Sequence, residues 1–322
     1  MQYGFLKGTR LNVSRVSLGT MMFGGQTSEA DSLSIMDYAF EKGVNVFDTA
    51  NVYNQGESER ITGKGLKGRR EKIILATKTG NRMGNDPNDS GLSRRNIFRS
   101  VDASLKRLNT DYIDLCYLHL PDYQTNIEET LEAMSSLVSS GRIHYIGVSN
   151  YAAWQIADML AVCDKRGYVA PLITQNVYNL LTRGIEGELI PFIRAHNMNL
   201  TVYNPIAGGL LTGKHKTGAP PEGTRFGFSR EYSDRYWTDV NFRAVEELSA
   251  IAREYDMDIL KLAMKWVDSR GDIVSILSGV SRLSQLEQNL AIFDSPPLPD
   301  EIFDKCDEVW RRLPGDRFAY NR

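Results

Sequence analysis

Val44-Asn45-Val46-Phe47-Asp48-Thr49-Ala50-Asn51-Val52-Tyr53 opens as a short apolar strand and closes on a polar tip. Asp48 ends the strand, and Tyr53 follows in the loop beyond it. Working outward, the same unit recurs. Residues 15–20 run to Thr20, 72–78 to Lys78, 112–119 to His119 and 143–149 to Ser149 and Asn150. Residues 172–175 end on Gln175, 200–203 on Tyr203, and 275–278 lead into Gly279-Val280-Ser281. Between these strands lie helical segments, including residues 29–42 stopped by Gly43, one after Gly56, one from Ser93 and one ending at Gly141. Parallel strands need such crossovers, because a tight hairpin cannot join them. The alternation predicts a (β/α)8 TIM barrel of the α/β class, whose active site sits at the carboxyl ends of its strands.

The periphery fits this frame. Residues 2–14 read as a hairpin around Lys7-Gly8-Thr9, placed to plug the bottom of the barrel. After the seventh strand, residues 205–238 hold no long periodic segment but many glycines and prolines, as expected of a lid, a binding loop or a disordered segment. Two extra helices, 284–293 and 300–312, are expected near the carboxyl terminus, with Phe318 and Tyr320 beyond them to line a pocket or dock as a tail. Nothing in the composition marks a linker, so residues 1–322 are expected to form one domain.

Charge is nearly balanced, with 38 Lys and Arg against 40 Asp and Glu, which gives no electrostatic reason to expect nucleic acid or an acidic membrane. No long apolar run predicts a membrane span, and the polar first residues do not read as a signal peptide. The three cysteines are scattered without CxxC pairing, which fits reduced thiols in a cytoplasmic setting and not a disulfide framework. His144, His196 and His215 have no ligand spacing to His119, so no metal site is expected.

Taken singly, Asp48 can cap a loop, Lys78 can be a solvated strand end, Tyr53 a packed loop aromatic and His119 a core histidine. A barrel brings all four to one rim, and there they suit one task. A phenol with an ordinary pKa near ~10 is a weak acid at neutral pH. A lysine ammonium stabilises its phenolate, and a buried aspartate keeps that lysine charged and aimed. A histidine can hold a carbonyl oxygen while the phenol protonates it and hydride arrives at carbon. The hydride must come from a cofactor, since no side chain supplies one.

These segments, in this order, resemble an aldo-keto reductase along almost the whole chain. They are Val46-Phe47-Asp48-Thr49-Ala50 with Tyr53, Gly56, Glu57 and Glu59; Ala76-Thr77-Lys78; Asp111-Tyr112-Ile113-Asp114-Leu115 through His119; and Ile146-Gly147-Val148-Ser149-Asn150. Gln175-Asn176, Tyr203-Asn204-Pro205, Gly208 through Lys214, and Gly279-Val280-Ser281-Arg282 with Gln285 and Asn289 continue the series. The resemblance implies that Tyr53 is the general acid, Lys78 and Asp48 its tuning pair, and His119 the carbonyl-orienting residue. It implies that Ser149, Asn150 and Gln175 hold the nicotinamide carboxamide while Tyr203 stacks on the ring. Asp48 also belongs to this cofactor wall, and Thr20, Met21 and Gln26 match contacts of the first loop. Asn204, Pro205, Ile206, Gly208 and Lys214, with Arg225, match the loop over the pyrophosphate. Gly279, Ser281, Arg282, Gln285, Gln288 and Asn289 match the adenosine site.

Ser281 and Arg282 precede a helix amino terminus, so a 2′-phosphate meets a hydroxyl, a cation and a helix dipole, favouring NADPH over NADH. Gln288 stands where a glutamate is frequent, and Met21 where an aromatic residue is common. Loop side chains such as Met21, Met22, Met83, Phe226, Phe228 and Trp237 suggest an apolar, adaptable pocket for a small carbonyl substrate. The sequence leaves the substrate and the oligomeric state open.

Two rival readings fit parts of the same sequence. A glycosidase needs two opposed carboxylates, yet only Asp48 is acidic among the strand tips, with Asp122 its nearest candidate partner. The segments Gly24-Gly25-Gln26, Tyr53-Asn54-Gln55-Gly56, Ala207-Gly208-Gly209 and Leu211-Thr212-Gly213-Lys214 are also similar to potassium-channel β-subunits. That likeness gives the alternative of a nicotinamide-binding, redox-sensing regulatory subunit. Retention of His119 and the expectation that no long arm precedes the barrel favour the reductase.

Overall fold

In the computed structural model, which describes residues 1–313, Phe318 and Tyr320 lie outside the described residues. A two-stranded antiparallel hairpin comes first, β1 Tyr3–Phe5 and β2 Asn12–Ser14. Eight parallel strands then close a barrel: β3 Val16–Gly19, β4 Val46–Asp48, β5 Ile74–Thr79, β6 Ile113–Leu118, β7 Ile143–Ser149, β8 Ile173–Val177, β9 Asn199–Tyr203 and β10 Ile273–Gly279. Neighbours follow chain order, and β10 pairs with both β9 and β3 to close the ring. The expected (β/α)8 barrel is the fold.

Helices α1 Glu29–Glu41, α2 Glu57–Gly65, α3 Arg94–Leu108, α4 Ile127–Ser139, α5 Ala153–Arg166 and α6 Leu189–Ala195 form the crossovers up to β9. Their starts follow capping chemistry. Ser28, Ser93 and Asn126 each accept a backbone N–H from the first turn of α1, α3 and α4.

The segment expected as a long loop is built differently. Residues 207–212 make a tight helical turn, and α7 Arg225–Phe228 and α8 Arg230–Tyr236 follow. Such short helices show no hydrophobic period, so the sequence pattern could not reveal them. Helices α9 Asp239–Glu254 and α10 Ile259–Asp268 complete the last crossover, and α11 Leu283–Phe293 and α12 Asp300–Arg312 follow β10.

Strand periodicity explains which residues meet at the rim. On β5, Ile74 and Ala76 pack inside the barrel and Leu75 packs outward against the helices, so Lys78 points inward. On β6, Leu115 and Tyr117 are interior, Cys116 and Leu118 exterior, and His119 is the next interior position. Val46 likewise places Asp48 inside. The hairpin fills the other end: Leu6 and Val13 join that interior cluster, and Lys7 exchanges backbone hydrogen bonds of 2.7 and 3.1 Å with the Asn199 side chain. A cavity of about 20 Å³ lies below Asp48 and Gln175. Gly147 matters here, because a Cβ on it would lie 2.5 Å from the Tyr117 ring that floors the site.

Candidate active site

At the carboxyl end of the barrel, Asp48 and Lys78 are each about 1% exposed and form a buried ion pair. The second Asp48 oxygen accepts a 2.8 Å hydrogen bond from the Gln175 amide. Lys78 Nζ also donates to the Thr49 carbonyl at 2.9 Å and lies 3.4 Å from Tyr53 Oη. All three ammonium hydrogens therefore have a target, and the last points at the phenol. A buried charge is tolerated only with this degree of pairing.

The loop after β4 aims Tyr53. Asn54 and Gln55 both adopt left-handed backbone (φ 47° and 56°), an uncommon conformation for two successive residues that are not glycine. The Asn54 amide restrains them by donating to the carbonyls of Met21 and Phe23 at 3.0 and 2.8 Å. Sequence reading gave Asn54 no such part, because an asparagine in a loop carries no signal of its partner. Glu59, fully buried on α2, braces the next layer by accepting from Thr77 Oγ1 and Arg107 Nε at 2.6 Å.

The electrostatics differ from the expectation that lysine lowers the tyrosine pKa. Burial first, and the Asp48 carboxylate second, push the Tyr53 phenol well above its ordinary value. Burial pulls Lys78 down while Asp48 opposes that shift. The chain by itself thus keeps Tyr53 protonated, the state required of a proton donor.

His119 is half-buried, with its ring edge-on to Tyr53 at 6.0 Å between centroids. Burial, and then the Lys78 charge, lower its pKa to about 3, so the imidazole is neutral at working pH. The sign for stability follows. An unfolded histidine gains a proton below ~6.5, whereas folded His119 refuses it until about 3, so stability falls on acidification through this window. Chemical denaturation at pH 7 and pH 4.5 should show a smaller acid loss in His119→Asn than in wild type; equal losses would contradict the assignment.

Ser149, Asn150 and Tyr203 form one hydrogen-bonded wall. Tyr203 Oη donates to Asn150 Oδ1 at 2.6 Å, and Asn150 Nδ2 contacts Ser149 Oγ and the His119 carbonyl at 3.1 and 3.0 Å. Gln175 stands behind this wall, its side-chain amide directed to Asp48 and its backbone carbonyl accepting from Ser149 Oγ. Thr20 is fully buried, and its hydroxyl lies within hydrogen-bond distance of the Asp48 carbonyl and Ser58 Oγ. Met21 is half-buried and Gln26 exposed on the loop after β3.

Asn204 and Ala207 are left-handed residues, and Gly208 (φ 69°) leaves room for Tyr232, which a Cβ there would meet at 2.8 Å. Pro205 is buried and Ile206 half-buried, while Lys214 is exposed. Arg225 lies 3.3 Å from Tyr232 Oη and 2.9 Å from Met22 Sδ, joining α7 to the first loop. Across the rim, Thr27 Oγ1 donates to the Ser281 carbonyl at 3.2 Å.

Gly279, the last residue of β10, and Arg282 and Gln288 beyond it are exposed. Gln285 Oε1 accepts the Ser281 amide at 2.9 Å, and Asn289 donates to Ser278 Oγ at 3.0 Å. The Arg282 guanidinium has no ion-pair partner among the described residues.

A family model described as the "Aldo/keto reductase family" matches residues 15–311. The chain is 37% identical to a "Probable voltage-gated potassium channel subunit beta" of Arabidopsis thaliana, over 99% of this chain and 100% of that protein. It is 35% identical to "Aflatoxin B1 aldehyde reductase member 2" of Rattus norvegicus, over 91% of this chain and 83% of that protein. An uncharacterized oxidoreductase of Bacillus subtilis is 36% identical over 90% of each chain.

Proposed function

The chain belongs to the aldo/keto reductase family, and we propose that it reduces an aldehyde or ketone to an alcohol with NADPH, Tyr53 donating the proton. Membership makes it an NAD(P)H-dependent oxidoreductase of the carbonyl-reducing type. The observation that carries the finer reading is the buried Lys78–Asp48 pair beneath a protonated Tyr53, with neutral His119 beside it. Nicotinamide, when bound, supplies the hydride. The residues present suit it: Ser149, Asn150 and Tyr203 give a polar wall with an aromatic face, and Arg282 offers an exposed cation at the start of α11.

In this reading the substrate oxygen sits between Tyr53 Oη and the His119 ring. Tyr53 transfers its proton as negative charge develops on that oxygen. Lys78 stabilises the phenolate left behind, and Asp48 with Gln175 holds Lys78 in place. His119 donates a hydrogen bond without changing its charge. Carbonyl-dependent oxidation of NADPH, and its loss in Tyr53→Phe, tests the assignment.

Cofactor choice is a separate expectation. Arg282→Ala should weaken NADPH by roughly ten- to a hundredfold, the loss of one charge-assisted contact, and leave NADH nearly unchanged. Equal effects on both dissociation constants would remove the 2′-phosphate argument. We read residues 1–322 as one domain, and the free, buried Cys116, Cys163 and Cys306 fit a reducing compartment. No helix among the described residues is long and apolar enough to cross a membrane.

The full-length likeness to a channel β-subunit supports a second reading, a cofactor-sensing partner protein with little turnover. Tight NADPH binding without carbonyl-dependent oxidation would favour it.

A further inference from the structure

We propose that Asn81 is a positioning residue that sets the tautomer of His119, so that Nε2 carries the hydrogen and donates to the substrate oxygen. The proposal deepens the reductase reading and rests on it. Its starting point is a 3.1 Å contact between Asn81 Nδ2 and His119 Nδ1. An uncharged imidazole has one N–H and one lone pair, and a partner on either nitrogen decides which is which. An amide that donates to Nδ1 requires the lone pair there, which leaves the hydrogen on Nε2. With the opposite tautomer, Nε2 would present a lone pair to a carbonyl oxygen, and the two would repel.

The surroundings hold both side chains in place. The His119 amide donates to the Thr79 carbonyl at 2.9 Å, and its own carbonyl accepts from Asn150. Asn81 follows Gly80, whose carbonyl accepts the Gly91 amide at 2.8 Å and closes the neck of the loop after β5. A Cβ on Gly80 (φ 113°) would lie 2.7 Å from Leu92, so the neck is tight. Asp122 then ties this loop to the one after His119, accepting the amides of Leu92 and Gln124 at 2.7 and 2.9 Å. Two strand-tip loops are thus clamped together with the Asn81 amide between them and the imidazole.

The titratable groups facing His119 are Lys78 from β5 and Tyr53 from the loop after β4. Asp122, on its own loop, is occupied by backbone amides and the Thr125 hydroxyl. Among the described residues, neither Lys78 nor Tyr53 is hydrogen-bonded to Nδ1, so the tautomer falls to Asn81.

Imidazole ¹⁵N NMR of the full chain, with His119 assigned by its loss in His119→Gln, reads the tautomer without turnover. Wild type is expected to show hydrogen on Nε2 and a lone pair on Nδ1. In Asn81→Asp a carboxylate accepts from Nδ1 and reverses this. Turnover at pH 8–9 should then fall roughly tenfold, the scale of one hydrogen bond. It should recover on acidification as the imidazolium regains a hydrogen on Nε2, giving a pH dependence that wild type lacks. A wild-type Nδ1–H tautomer, or an Asn81→Asp variant with unchanged tautomer and a uniform loss across pH, would overturn the proposal. If wild type reduces no carbonyl, the reductase reading fails, whereas the spectrum still decides what Asn81 does.

Discussion

Tyr53→Phe is expected to lower carbonyl turnover by ~100- to 10,000-fold, the range associated with loss of a positioned general acid. The change removes one oxygen atom and keeps the ring. The loop beneath it is fixed by other groups, since Asn54 and not the phenol bonds the Met21 and Phe23 carbonyls. Folding and the dissociation constant for NADPH should therefore stay close to wild type. The loss should appear in kcat, because proton donation is needed only as charge develops on the substrate oxygen. A variant that retains turnover within a few-fold would remove Tyr53 from the chemistry.

Lys78→Met is expected to damage both activity and stability. Among the described residues, its ammonium is the only group bonded to both Asp48 and the Tyr53 hydroxyl. Removing it leaves the Asp48 carboxylate buried with, among the described residues, only the Gln175 amide as a side-chain partner. Breaking one side of such a pair costs ~3–5 kcal/mol, whereas replacing both members by uncharged groups is often close to neutral. Denaturant unfolding should show that loss in Lys78→Met, and adding Asp48→Asn should restore much of it. Turnover should remain abolished in both, since neither contains a cation to stabilise the tyrosinate. Recovery of activity along with stability in the double variant would show that the pair only packs the barrel.

How far these features could be read beforehand depends on their periodicity. Asp48, Lys78 and His119 are interior positions at strand tips, and alternation along β4, β5 and β6 brings them together once a barrel is assumed. Tyr53 entered through its distance from Asp48 and through family motif. The use of Gln175 could not be read, because its contact with Asp48 crosses the barrel between residues 127 apart in sequence. Asn54 and Asn81 sit in irregular loops, where neither backbone conformation nor side-chain partner leaves a pattern. The direction of the Tyr53 shift also escaped, since it depends on depth of burial, which a list of neighbouring residue types does not contain. Helices α7 and α8 were too short for their period to register.

The central claim is that this rim protonates a carbonyl while hydride is delivered. Its most direct test is NADPH oxidation, followed optically, by wild type against aldehydes and ketones of increasing size, with Tyr53→Phe alongside. Carbonyl-dependent oxidation is expected in wild type and should nearly vanish in the variant while NADPH still binds. Tight NADPH binding with no carbonyl-dependent oxidation in wild type would contradict it and place the chain's work in cofactor sensing.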